Sequence, residues 1–452
     1  MSYATAISRM YALGHELAQT PSHKFDLAHM RVLLGALDHP EGRFPGVLIA
    51  GTNGKGSTAA TLAAILQASG IRTGLYTSPH LTRINERVRI NDAEISDDEF
   101  ALIHDLVDRT AERLVGEGEL PWHPSFFEML TAIAFEYFAQ RKVEMAVLEV
   151  GMGGRLDATN VIEPRVSVIT DIALDHQKFL GNTVAEIARE KTGIMRAGGV
   201  VVTLPQQPQA NDVIGNTILE LGARVVSAVP YVPPVSPASA STQLRVASCE
   251  QKTFACCYPL QVMGKEILVE TPLVGRHQLR NVALAIAAAE ELSKQGFAVT
   301  PDSIEEGIRE TRWPGRFQVI PASADAPEIV LDVAHNPAGA WALRSVLSAC
   351  YEDRPLTFVF GAMRDKAIGE IAEILFPLAE QVVATRADNP RSATAEEIRQ
   401  AAARTSSPIE EAPDAASALH RAFTLAGHGG VVVITGSIYL VGEAMRQLGI
   451  RI

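Results

Sequence analysis

Short apolar, β-branched runs alternate along this chain with longer stretches of helical periodicity, and that alternation restricts the fold more than any other feature. The runs fall at 46–50, 145–150, 166–170, 199–204, 329–333, 356–360, 381–385 and 431–435. Strands separated by helices predict parallel α/β sheets with ligand sites at the strand C-terminal ends. Two breaks divide the pattern. Residues 229–241, VPYVPPVSPASAS, read as an irregular Pro/Ser loop with short flanking strands. Residues 262–269 around Met263-Gly264-Lys265 read as a hairpin, a small antiparallel excursion on the first unit. The second break, through Thr311-Arg312-Trp313-Pro314-Gly315-Arg316-Phe317, reads as a hinge. The expected division is an N-terminal α/β domain over 1–310, a hinge over 311–328, and a C-terminal Rossmann-like α/β domain over 329–452.

A chain of 452 residues exceeds one ordinary hydrophobic core, so two domains need no covalent staples. The four cysteines, Cys249, Cys256, Cys257 and Cys350, form neither a CxxC pair nor a zinc spacing. Residues 1–20 carry His15, Glu16 and Gln19 within their apolar periodicity and lack the basic-then-hydrophobic order of a secretory signal. With no run suited to crossing a bilayer, the expectation is a cytoplasmic protein in a reducing compartment. The net charge of −12 argues against generic nucleic-acid binding, which needs a clustered basic surface. Anionic small molecules would require local devices such as helix N-termini, a metal or single arginines.

One such device stands at 46–58, GVLIAGTNGKGST: an apolar strand, a glycine-rich turn, then a helix. Around Gly51, Thr52, Asn53, Gly54 and Gly56 the backbone N–H groups can curl about phosphate oxygens. Lys55 supplies positive charge, and the hydroxyl of Ser57 or Thr58 can reach Mg²⁺. The spacing differs from the common P-loop because Gly51 stands close to Gly54 and Gly56 separates Lys55 from Ser57. Against a tight turn with a surface lysine, the strand and helix context favours phosphate, with ATP the leading ligand. GTNGKGS after a hydrophobic strand resembles the loop of the Mur ligase superfamily, and particularly its folylpolyglutamate synthase branch. Thr77-Ser78-Pro79-His80-Leu81 followed by Asn85-Glu86-Arg87-Val88-Arg89 resembles a second segment of that branch.

Other strand ends carry chemistry. Glu149 closes a strand before GMGGRLDATN, where a carboxylate suits either a Mg²⁺ ligand or a solvated strand end, and Asp157 either a site residue or a helix cap. A nicotinamide site is rejected, because the third glycine position is Leu156 and Asp157 is too close to be the ribose acid. His176, after 166–171 and Asp175, is a candidate metal ligand or a satisfied structural histidine. Lys191 shows no special chemistry from the residues around it. The segments EVGMGGRLDATN, LDH and REKTGI resemble the same branch in order and spacing. That resemblance implies that Glu149, His176 and Ser78 hold magnesium and that Lys191 is carbamylated.

HQLRN at 277–281, PGRF at 314–317 and DVAHNP at 332–337 extend the resemblance. They imply Asn281 and His335 near adenine, Asp332 near ribose and Arg316 on phosphate; local readings are a cap, a turn and a linker ion pair. Pro124-Ser125-Phe126-Phe127-Glu128 resembles a motif near the pterin of this family, so Phe126 and Phe127 are candidate stacking surfaces, with Pro79, His80 and Asp157 near substrate. The implied reaction is Mg²⁺-ATP-dependent ligation of L-glutamate to dihydropteroate or reduced folates through an acyl phosphate, Lys55, Lys191 and His176 serving catalysis. A monomer acting on small molecules is expected. Two rivals are a peptidoglycan-type Mur ligase, which needs a nucleotide-sugar domain where only a short helical lead (23–37) precedes the loop, and a noncatalytic nucleotide-binding regulator.

Overall fold

The computed structural model describes residues 1–14, 27–234, 243–246, 254–324 and 326–450, the strand 243–246 by its backbone. His15, Glu16, Gln19, residues 23–26, the Pro/Ser stretch from 235 and Cys249 lie outside them. The first sheet contains β1 (Gly46–Ala50), β2 (Thr73–Tyr76), β3 (Val88–Ile90), β4 (Ala93–Glu94), β5 (Met145–Glu149), β6 (Pro164–Ile169), β7 (Val200–Thr203) and β8 (Arg224–Ser227), in spatial order 4-3-2-5-1-6-7-8. Six strands run parallel, while β3 and β4 form an antiparallel edge. β1 lies inside, and its side chains alternate between cores: Val47 and Ile49 join one face, Leu48 and Ala50 the other. This is why the run reads as continuously apolar rather than alternating. Each such buried Val, Leu or Ile contributes about 1.5–3 kcal/mol.

A separate antiparallel sheet is built from β9 (Gln243–Val246), β10 (Phe254–Val262) and β11 (Lys265–Thr271). β10 and β11 are joined through Met263 and Gly264, both at positive φ, the two-residue turn a hairpin favours. The third sheet holds β12 (Gln318–Ile320), β13 (Glu328–Leu331), β14 (Leu356–Phe360), β15 (Gln381–Ala384), β16 (Ile409–Glu411) and β17 (Val431–Thr435), in order 12-13-17-14-15-16. Its strands are parallel except β12, which pairs antiparallel with β13 from within the stretch read as hinge. Both faces are buried again, Val431 and Val433 on one side, Val432 and Ile434 on the other. The eight apolar runs match β1, β5, β6, β7, β13, β14, β15 and β17. Outside the small antiparallel sheet, the additional strands β2, β3, β4, β8, β12 and β16 are short: β4, β8, β12 and β16 form sheet edges, β3 stands next to one, and β2 lies inside. Among the described residues, no helix is long and apolar enough to cross a membrane.

Candidate active site

The helix Lys55–Ala68 starts where β1 ends, and Gly54 at φ +88° forms its N-cap. That conformation favours glycine, and a Cβ there would lie 2.1 Å from the Asn281 Oδ1. Asn281 thus packs against the loop from the second turn of the helix Arg276–Lys294, as its sixth residue, too far along to cap it; its Nδ2 donates to Gln278 Oε1 at 2.9 Å. The N–H groups of Thr52 and Asn53 are committed to the Asp171 carbonyl at 2.9 and 3.1 Å. The cradle is therefore narrower than the seven residues of the motif: the N–H groups of Lys55, Gly56 and Ser57, in a first turn that has no intrahelical acceptors, are the ones left for an anion. Lys55 Nζ donates to the Thr52 carbonyl at 3.2 Å. Ser57 borders the cleft. Thr58 does not; its hydroxyl is buried in the helix interior.

β5 delivers Glu149 beside this turn. Its carboxylate accepts from the Ser78 N–H at 3.2 Å, and a Cβ on Gly56 would stand 3.3 Å from Glu149 Oε2. The side chains of Ser57, Ser78, Glu149 and His176 all border one cleft of about 650 Å³. Among the described residues no three His, Cys, Asp or Glu side chains form a ready-made metal cage. Such a donor set fits Mg²⁺, which takes one or two carboxylates and completes its shell with phosphate and water. His176, at φ +51°, is driven by burial to a pKa of about 3 and is neutral. Burial and the Lys55 charge lower Lys191 to about 7, and its Nζ donates to the Gly51 carbonyl at 2.7 Å. Asp157 is the cap that local reading offered: it accepts from the N–H groups of Thr159 and Met152, both at 3.0 Å, while still bordering the cleft.

The third sheet closes the cleft with Asp332 and His335 from the end of β13, and the hinge adds Arg316. Asp332 accepts from the N–H groups of Phe317 and Ala334 at 2.8 and 2.9 Å; burial raises its pKa and the Arg316 charge opposes that. His335 Nδ1 lies 2.9 Å from the Val333 carbonyl. Sequence reasoning missed the group that joins the halves. Asp175 takes Lys366 Nζ at 2.5 Å and Asn336 Nδ2 at 3.3 Å, with His335 Nε2 at 3.6 Å. Asn336 also donates to Asn53 Oδ1 at 2.9 Å. Asp175 and Asn336 lie inside the segments singled out, whereas Lys366 stands in a loop with no motif. Arg280 and His277, both in HQLRN, border the cleft too.

Pro79 and Phe127 border the cleft, but Phe126 and His80 do not. Adjacent positions on a helix point about 100° apart, so only one phenylalanine can face the ligand. Phe126 instead stacks on Tyr11 with ring centroids 5.9 Å apart and lies under Arg87. His80 Nδ1 accepts from Arg87 Nε at 2.8 Å.

A phosphate cradle, a carboxylate beside it and a second α/β domain closing over both define an ATP-dependent ligase of the Mur type. The Mur ligase middle domain family matches residues 127–289, and the Mur ligase, glutamate ligase domain family matches 315–438. The dihydrofolate synthase/folylpolyglutamate synthase of Bacillus subtilis is 33% identical over 427 residues, covering 93% of this chain and 94% of that protein. The folylpolyglutamate synthase of Mycobacterium tuberculosis complexed with ADP superposes with a TM-score of 0.86 at 32% identity, covering 99% of both chains. E. coli FolC in complex with DHPP and ADP gives 0.81 at 28% identity, covering 99% of this chain and 98% of that one. The chain belongs to the dihydrofolate synthase/folylpolyglutamate synthase family.

Proposed function

We propose that this chain ligates L-glutamate to dihydropteroate and to reduced folates and their polyglutamates at one ATP-dependent site, as a cytoplasmic monomer. The observation carrying this reading is that the Lys55–Ser57 turn, Glu149, and Arg316, Asp332 and His335 border a single cleft between the strand ends of two sheets. The same cleft supports the division into domains over 1–310 and 329–452 about a hinge.

Lys55 and the first-turn N–H groups would hold the nucleotide phosphates, with Asn281 and His335 at adenine, Asp332 at ribose, and Arg316 reaching phosphate from the other domain. Glu149, with Ser57, Ser78 and His176, would hold magnesium, which offsets charge on the phosphates. The acceptor carboxylate takes the γ-phosphoryl group as ADP leaves. Lys55 and Arg316 counter the charge of that transfer. The glutamate amine then attacks the acyl phosphate, forming the amide and expelling phosphate, and domain closure excludes the water that would hydrolyse it. Phe127, rather than Phe126, is the stacking surface for a pterin, with Pro79 beside it. The lowered pKa of Lys191 leaves a neutral amine populated near neutrality, the form that adds CO₂ to become a carbamate. Stripping dissolved CO₂ should then lower turnover and bicarbonate restore it; turnover indifferent to CO₂ removes the carbamate.

The decisive assay gives purified protein Mg-ATP, glutamate and either dihydropteroate or tetrahydrofolate, and follows phosphate release and amide product. Product from both is expected. If dihydropteroate gives none while tetrahydrofolate does, only the polyglutamate activity survives; product from neither overturns the reading.

A further inference from the structure

Behind Ser78 and Glu149 lies a second, smaller cavity of about 30 Å³, adjoining the cleft between the first sheet and the hinge. It is bounded by Ser78, Glu86, Arg89, Glu149, Trp313 and Arg316, among others. The Glu86 carboxylate is engaged by the N–H groups of Leu81, Thr82 and Arg83 at 2.6–2.7 Å. The Trp313 indole nitrogen is different: it is buried, with no hydrogen-bond partner among the described residues. An indole N–H can only donate, and leaving a buried donor unpaired costs about 1–3 kcal/mol. The indole ring is seated on the phosphate loop. A Cβ built on Gly56 would meet Trp313 Cζ2 at 2.6 Å, Trp313 Cε2 at 3.1 Å and Glu149 Oε2 at 3.3 Å. Cε2 carries the indole nitrogen, so the ring edge next to the N–H and the carboxylate flank the same point beside the loop.

We infer that one water occupies this cavity, accepting from the Trp313 indole N–H and donating to the Glu149 carboxylate, so that Trp313 is a positioning residue for Glu149. The volume exceeds the roughly 10–15 Å³ a water needs, and the lining supplies a donor, a carboxylate and the Ser78 hydroxyl as partners. The Ser78 N–H fixes one side of the carboxylate at 3.2 Å, and the water fixes another. Because Trp313 stands on the hinge three residues before Arg316, the position of the hinge sets the orientation of the carboxylate that faces the phosphates. Groups that hold a metal ligand in place matter nearly as much as the ligand itself.

The inference rests on Glu149 facing magnesium, and the test separates the two claims. Trp313→Phe keeps a ring against Gly56 and removes only the donor. Calorimetric titration with a nonhydrolysable ATP analogue, with and without magnesium, should give unchanged magnesium-free affinity, while the affinity gained with magnesium falls about ten-fold or more. Equal losses in both titrations would make the ring mere packing and overturn the inference, as would wild-type values in both. A wild-type protein that gains no affinity from magnesium would remove the metal reading of Glu149 and the inference with it. Should the variant fail to fold, a high-resolution crystal structure of the wild-type protein decides. A water within hydrogen-bond reach of both the indole nitrogen and Glu149 supports the bridge, and a dry cavity overturns it.

Discussion

The two halves of the cleft are made from different materials. The first sheet offers mostly backbone: the N–H groups of Lys55, Gly56 and Ser57 at a helix start, in a turn whose shape depends on glycines at 54 and 56. The third sheet offers side chains at the end of β13: Asp332, held by the N–H groups of Ala334 and of Phe317 in the hinge, and His335, held by the Val333 carbonyl. A backbone cradle is defined by what it lacks, since any Cβ intrudes, whereas a side-chain site is defined by what it presents. Substitution should therefore break the first half through sterics and charge, and weaken the second through single hydrogen bonds.

Lys55→Ala should break the first half most severely. On the proposed reading its charge serves phosphates, and it stands at the first position of a helix with its side chain outside the core, so turnover should fall on the order of 10³-fold while the circular dichroism spectrum and melting temperature stay unchanged. Wild-type-like turnover at saturating ATP would remove the loop from the chemistry. Next comes Gly56→Ala, whose Cβ would press on the Trp313 ring at 2.6 Å; nucleotide affinity should weaken by about 1–3 kcal/mol, read by calorimetry. Asp332→Asn should cost less, about 1 kcal/mol of nucleotide affinity, because its one amide oxygen still accepts from one of the two backbone N–H groups that bond separate carboxylate oxygens at 2.8 and 2.9 Å, and a single hydrogen bond is lost. If Asp332→Asn proves as damaging as Gly56→Ala, the contrast between the halves is wrong.

The same difference explains what could be read from sequence. The glycine loop was legible because its geometry is local: strand, turn and helix start follow within thirteen residues. β1, β5 and β17 were legible because they are buried on both faces and read as unbroken apolar runs. β2 (TGLY) and β8 (RVVS) were not, since one contains glycine and threonine and the other lies at an edge with exposed positions. Asp157 could be read two ways, and only its partners show a cap. Which of Phe126 and Phe127 faces the cleft depends on the orientation of a whole helix, which no short pattern encodes. The contact of Lys366 with Asp175 spans 191 positions and joins two domains. Neither residue carries a local signal for the other, so that junction had to wait for the fold.

The smallest expected effect concerns acid, and it sharpens the comparison through stability rather than activity. The first half holds two half-buried histidines against proton uptake. Burial lowers His277 to about 4, with the Arg316 charge adding to it, and lowers His176 to about 3 despite the opposing Asp175 charge. In the unfolded chain both titrate near 6.5. A group whose folded pKa is depressed in this way leaves stability intact above about 6.5, and that stability is lost as pH falls toward about 4, because only the unfolded form binds the proton. Asp332 works in the other direction: its raised pKa means that falling pH relieves a buried charge in the second half. Acid should therefore weaken the first half before the second. Melting at pH 7.5 and pH 5 should show a decrease of roughly 5 °C, carried by the first half. The variant His277→Gln, which cannot take up that proton, should show a smaller decrease. An equal decrease in His277→Gln would assign the acid sensitivity elsewhere. An increase in melting temperature on acidification would reverse the sign and rule out buried histidines as its source.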